Sequence, residues 1–130
     1  MREPITAAGA PDAVGPYVHA VAAGGLVFVS GQIALDPRSN ELVGATAVEQ
    51  AERCLENLKT IAAEAGCDLA RDAVKCTVLL TDIDEFAAVN EVYGRYFEAD
   101  GLPARIAYGV AALPKGALVE IDAVLAVPGA

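Results

Sequence analysis

The chain has 130 residues, enough for one domain with a real core and short for two independently folding units, so residues 1–130 read as a single domain. Hydrophobic residues make up 55% and charged residues 21%, an apolar surplus for a lone soluble domain that points to a buried subunit interface. The 18 acidic and 9 basic residues give a formal net charge of -9, a field that repels phosphate backbones and argues against a nucleic-acid partner.

The opening third reads as short strands joined by glycine turns. Val18 to Ala22 and Leu26 to Ser30 flank Gly24-Gly25, a hairpin signal because tight hairpin turns need positive φ, and Gly31 closes the second strand. Thr46-Ala47-Val48-Glu49 has the spacing of a capping box and predicts a helix start. Ala51, Cys54, Leu55, Leu58, Ile61, Ala62 and Ala65 then recur at steps of three and four, and Gly66 suits a left-handed stop. Val74 to Leu80 is short and β-prone, the pattern of a buried strand.

Asp82 followed by Glu85 offers a second helix start. Phe86, Val89, Tyr93, Tyr96 and Phe97 form an aromatic stripe assigned to the core, and Gly101 and Pro103 end that helix before the strand Arg105 to Val110. In Leu118 to Val127, Val119, Ile121, Ala123, Leu125 and Val127 share one face, and Glu120 and Asp122 take the other. The expected order is βββαβαββ: an α+β fold with a mixed sheet and two helices on one face. The opposite face also carries apolar groups and has no helix left to cover it, which association of sheets from several subunits would solve.

No apolar run of about 18 residues exists to span a bilayer. Met1 to Pro11 lack the basic flank and apolar centre of a secretory signal, so a cytoplasmic protein with no membrane partner is expected. Cys54, Cys67 and Cys76 are odd in number and form no C-x-x-C pair, which suits reduced thiols. His19 is the only histidine, which removes most His-based metal sites, so metal-free chemistry is expected. No G-x-G-x-x-G, Walker loop, H-E-x-x-H or G-x-S-x-G is present, which disfavours nucleotide, zinc and triad chemistries.

Arg105 is the most informative residue, because a guanidinium at the start of an apolar strand needs an anionic partner. Two partners are open to it. If Arg105 to Val110 and Leu118 to Val127 form an antiparallel hairpin over Leu113-Pro114-Lys115-Gly116, Glu120 lies beside it as a structural ion pair. The other partner is the carboxylate of a ligand. Asp122 reads as a solvated or hydrogen-bonded carboxylate. Tyr17, after Gly15-Pro16, and Ser30, before Gly31, each have plain turn and strand-end explanations beside a functional one. Asn90 is either a structural amide or a site residue.

Ala13-Val14-Gly15-Pro16-Tyr17, Val29-Ser30-Gly31-Gln32-Ile33, Asn57-Leu58-Lys59, Phe86-Ala87-Ala88-Val89-Asn90, Pro103-Ala104-Arg105, and Leu113-Pro114-Lys115 followed by Val119-Glu120-Ile121 occur in an order and spacing that closely resemble the RidA (YjgF) family of enamine/imine deaminases, also called the L-PSP endoribonuclease family. The resemblance covers almost the whole chain. It implies a chorismate-mutase-like subunit and a homotrimer whose sheets wrap a central β-barrel, with sites in the clefts between subunits.

It further implies that Arg105 holds a substrate carboxylate through two parallel hydrogen bonds, that Tyr17, Ser30, Gly31 and Asn90 line the pocket, and that Glu120 orients the attacking water. The implied substrates are enamines and imines such as 2-aminoacrylate, the implied products 2-keto acids and ammonia, and no cofactor or metal is called for. One position departs: many such deaminases have cysteine where this chain has Ala107, which leaves substrate preference and subgroup open. Other readings within reach are a pathway-specific deaminase of an aminomuconate-like enamine, an L-PSP-type endoribonuclease or translation inhibitor, and a non-catalytic trimer that binds keto acids.

Overall fold

The computed structural model describes residues 1–129. Three strands come first: β1 (Glu3–Ile5), β2 (Ala20–Ala23) and β3 (Leu26–Gln32). They form an antiparallel meander, with Ile5 opposite Ala20 and Ala23 opposite Leu26. Gly24 and Gly25 turn the second hairpin at φ 60 and 79, positive values that a side chain resists and that match the twist of the flanking strands.

Helix α1 (Ala47–Glu64) begins where the capping box predicts, with the Glu49 amide donating to the Thr46 hydroxyl at 3.2 Å. The Glu49 carboxylate reaches back to the Ala45 amide at 3.4 Å, one residue beyond the usual partner. At the other end Cys67 N–H donates to the Ala62 carbonyl and Gly66 N–H to that of Ala63, the paired bonds of a Schellman stop, with Gly66 at φ 77. The apolar stripe between these ends buries Cys54, Leu55, Leu58 and Ile61 completely against the sheet. Each leucine or isoleucine so buried contributes roughly 1.5–3 kcal/mol.

A short helix, α2 (Leu69–Asp72), is a turn that periodicity does not announce, capped by the Asp68 side chain. It leads into β4 (Ala73–Leu80). Asp82 caps a 3-10 turn, Ile83–Glu85, rather than the helix itself, and α3 (Phe86–Gly94) follows directly. This helix stops well short of the expected Gly101. Tyr96 and Phe97 therefore pack from the turn beyond it, with the Phe97 ring 4.9 Å from that of Tyr93.

The last strands are β5 (Ala104–Gly109) and β6 (Val119–Ala126). All six strands form one mixed sheet in the order β1-β2-β3-β6-β4-β5. The hairpin on which an Arg105–Glu120 pair depends does not form. β6 lies between β3 and β4, antiparallel to both, and β5 runs parallel to β4 at the sheet edge. Having both its edges taken, β6 has none to offer β5. Residues 110–118 cross over instead, through a turn in which Lys115 and Gly116 have φ 58 and 70.

Val119, Ile121, Ala123 and Leu125 of β6 are buried with α1 in the main core, as the alternation predicts. The other face of the sheet has no helix. There Phe28 stands opposite Val124 and is 47% exposed, and Ile106 and Tyr108 of the edge strand are 49% and 48% exposed. An apolar face and an apolar edge are thus left to solvent in the isolated chain.

Candidate functional site

The six residues singled out from the sequence fall into two groups on opposite sides of the sheet. Arg105, the second residue of β5, is in register with Cys76 of β4, whose side chain is fully buried among the core residues. Arg105 therefore projects on the helix side, toward α3. Its Nη1 donates to Asn90 Oδ1 at 2.7 Å. Its guanidinium carbon lies 5.2 Å from the Phe86 ring centroid and 4.9 Å from that of Tyr93. Phe86, Asn90 and Tyr93 are spaced four and three residues apart, so the helix presents all three along one face.

The Tyr93 hydroxyl is buried with no nitrogen or oxygen partner and lies against the Cys76 thiol. Burial pushes both groups up from their ordinary values, so both stay neutral. Arg105 itself is exposed, and no carboxylate among the described residues forms an ion pair with it. The structural ion pair with Glu120 is thus corrected. β4 separates the two strands, and Glu120 belongs to the alternate set of β6 residues, on the face away from the helices.

Glu120 is in the second group. Its carboxyl lies over the backbone of Gly31, where a β-carbon would run into its oxygen and stand only 3.0 Å from its Cδ. Gly31 and Ser30 do not end the strand, as their residue types suggest, but form an irregularity inside β3, where the register with β6 shifts between Val29 and Gln32. Such a bulge re-aims the chain at the point where Gly31 meets Glu120. The Ser30 hydroxyl donates to the Val18 carbonyl at 2.6 Å and so ties β3 to the preceding loop.

That loop carries Tyr17, 42% exposed, whose hydroxyl accepts from the Val14 amide at 3.2 Å. Tyr17 and Gly31, with Asp12, Val14 and Gln32, line a shallow hollow. Partial burial raises the Glu120 carboxyl above the ordinary glutamate value, and the nearby Asp122 adds to the rise. Asp122 is hydrogen-bonded, accepting from the Thr77 amide at 2.8 Å.

Three buried polar residues hold these groups in place, and their side-chain types alone give little sign of it. Asn57 is fully buried in α1 and donates to the carbonyls of Ile33 and Leu35 at 3.4 and 3.0 Å, fixing the chain just past Gly31. Gln50 accepts from the Leu118 amide at 2.8 Å and sets the entry to β6. His19 accepts the Ala7 amide on Nδ1 at 2.9 Å and meets the Pro11 carbonyl with Nε2 at 2.7 Å, an arrangement that selects the neutral ring protonated on Nε2. A histidine in an apolar context is a plausible ligand by type, but this one braces the loop leading to Tyr17.

Among the described residues, no three or more His, Cys, Asp or Glu side chains gather as metal ligands, and no helix is long and apolar enough to cross a membrane. The two groups offer complementary chemistry: a fixed, exposed cation on one side, and on the other a carboxyl of raised proton affinity beside a bare backbone.

Residues 7–127 match the family model described as Endoribonuclease L-PSP. A RutC family protein (y4sK) of Sinorhizobium fredii is 55% identical over 96% of this chain and 98% of its own length. The 2-iminobutanoate/2-iminopropanoate deaminase of Homo sapiens is 48% identical over 95% of this chain and 89% of its own. Among solved structures, E. coli TdcF with bound serine superposes with a TM-score of 0.87 at 39% identity, covering 95% of this chain and 98% of that one.

Proposed function

The chain belongs to the L-PSP endoribonuclease family, which includes the RidA and YjgF proteins, and on that premise we propose that it is a deaminase that hydrolyses short-chain 2-imino acids, and the enamines that tautomerise to them, to 2-keto acids and ammonia. The observation that carries this reading is Arg105, an exposed guanidinium held by a neutral amide and ion-paired with no carboxylate among the described residues. Such a group is left to bind an external anion, and its planar fork matches a substrate carboxylate through two parallel hydrogen bonds.

Arg105 and Asn90 lie on one side of the sheet, Glu120 and Gly31 on the other, so a site that uses both draws each half from a different protomer. The uncovered apolar face around Phe28 and Val124 and the exposed edge at Ile106 and Tyr108 are surfaces that such packing would cover. They support a homotrimer with sheets facing inward and sites in the clefts between subunits. In each cleft Arg105 fixes the imino acid, and Glu120 of the facing protomer, its proton affinity raised, accepts a proton from water as the oxygen attacks the carbon of the protonated imine.

The resulting tetrahedral carbon bears hydroxyl and amine. Glu120 returns the proton to nitrogen, the C–N bond breaks, and loss of the hydroxyl proton leaves the keto group and ammonia. Tyr17 and the Ser30–Gly31 bulge bound the pocket on the Glu120 side. Ala107 lies on the same side of β5 as Arg105 and is half-buried, so the pocket has a methyl where many relatives carry a thiol, and this hydrolysis uses no thiol.

The test generates 2-aminoacrylate and 2-iminobutanoate in situ with a PLP-dependent enzyme and measures keto-acid release with and without this protein. Acceleration by the wild type, lost in Arg105→Ala with the fold intact, is the expected result. No acceleration, or a full rate from Arg105→Ala, overturns the reading.

A further inference from the structure

Phe86, Asn90 and Tyr93 surround one guanidinium in a way that core packing does not require. From Phe86 to Tyr93 is seven residues, about two helical turns and roughly 10.5 Å along the α3 axis. The guanidinium carbon of Arg105 is 5.2 Å from one ring and 4.9 Å from the other, the spacing of a cation lodged between them. Asn90 stands between the rings in sequence and takes Nη1 at 2.7 Å. A long, exposed side chain at a sheet edge otherwise samples many rotamers. Here both rings and the amide oppose rotation, while no hydrogen-bond partner among the described residues takes the edge of the fork away from Asn90.

We propose that Phe86 and Tyr93 are positioning residues for Arg105, an aromatic clamp that presets the guanidinium for a substrate carboxylate. The inference rests on the carboxylate-binding role of Arg105 proposed above. Each ring attracts the cation through its negative face, and the clamp meets the ordering cost before the ligand arrives. Tyr93 is itself held, because its hydroxyl is buried against the Cys76 thiol. Phe86, at the first turn of α3 and half-buried, is the member that can be changed without opening the core.

A carboxylate is gripped alike in the ground and transition states, so loosening the clamp weakens binding and leaves the chemical step alone. Phe86→Leu is expected to raise KM for the 2-imino acid, and Kd for 2-oxobutanoate measured by calorimetry, about three- to tenfold, the range expected from one cation–π contact, with kcat unchanged. Phe86→Tyr, which keeps a ring, should restore both constants to near wild-type values. Tyr93→Phe keeps its ring and should likewise bind as the wild type does.

If Phe86→Leu binds 2-oxobutanoate like the wild type, or if Phe86→Tyr is as weak as Phe86→Leu, the clamp is wrong. A fall in kcat in Phe86→Leu with KM unchanged also counts against it. Arg105→Ala separates the two claims. If wild type and Arg105→Ala bind 2-oxobutanoate equally, or neither binds, the carboxylate role of Arg105 fails and the clamp with it. If Arg105→Ala alone loses binding and Phe86→Leu does not weaken it, only the clamp fails.

Discussion

Gly31→Ala tests whether the place of Glu120 matters, because it moves that carboxyl without altering it. An ideal β-carbon on Gly31 would collide with a Glu120 carboxyl oxygen and lie 3.0 Å from Cδ and 3.2 Å from Cγ. Gly31 is not among the residues of positive φ, so alanine fits the backbone, and the clash falls on the movable end of a side chain. Relief by rotation of Glu120 should therefore cost less than about 1 kcal/mol of stability, and the thermal midpoint should fall by less than about 6 °C. In the proposed mechanism the rotation removes the proton acceptor from the attacking water, and general-base catalysis of this kind contributes roughly 10²–10⁴-fold. Coupled keto-acid release should fall by at least about 100-fold in a protein that still unfolds cooperatively near the wild-type midpoint. Wild-type turnover in that variant would refute the reasoning.

Arg105→Lys keeps the charge but loses the planar fork, and should lower kcat/KM about tenfold to hundredfold in the same assay. Because burial, helped by Asp122, raises the Glu120 carboxyl, the acid limb of the kcat/KM profile should lie above the ordinary glutamate range, and Asp122→Asn should move it to lower pH. The same shift affects stability. Above the unfolded value the folded state holds the proton more tightly, so stability falls as pH rises through the folded value, and Glu120→Gln should unfold at a higher temperature than wild type at neutral pH while losing activity. Asn57→Ala strands the Ile33 and Leu35 carbonyls in the core and should cost about 2–4 kcal/mol in a denaturant titration.

Local patterns carried most of the fold. The Gly24-Gly25 turn, the Thr46 cap, the Gly66 stop and the alternation of β6 each depend on residues a few positions apart, and each lies where the sequence puts it. What failed was strand pairing. Residues 104–109 and 119–126 are consecutive strands, and adjacency in sequence suggests a hairpin, but β6 inserts between β3 and β4 and leaves β5 parallel at the edge.

That one displacement puts Arg105 and Glu120 on opposite sides of the sheet, where the ion pair that the sequence leaves open cannot form. The aromatic stripe was legible as core, yet Phe86 and Tyr93 also face Arg105, a contact that depends on the β4–β5 register and has no local signal. The roles of His19, Gln50 and Asn57 are hidden for the same reason, since they bond to backbone groups between 6 and 68 residues away.

Coexpression of Arg105→Ala with Glu120→Gln decides whether one catalytic centre is assembled from two protomers. Each variant alone should be inactive. In trimers mixed at random from equal amounts, one cleft in four pairs an intact Arg105 with an intact Glu120, so roughly a quarter of the wild-type imine hydrolysis should return. Mixed trimers as inactive as either parent would contradict a site shared between subunits.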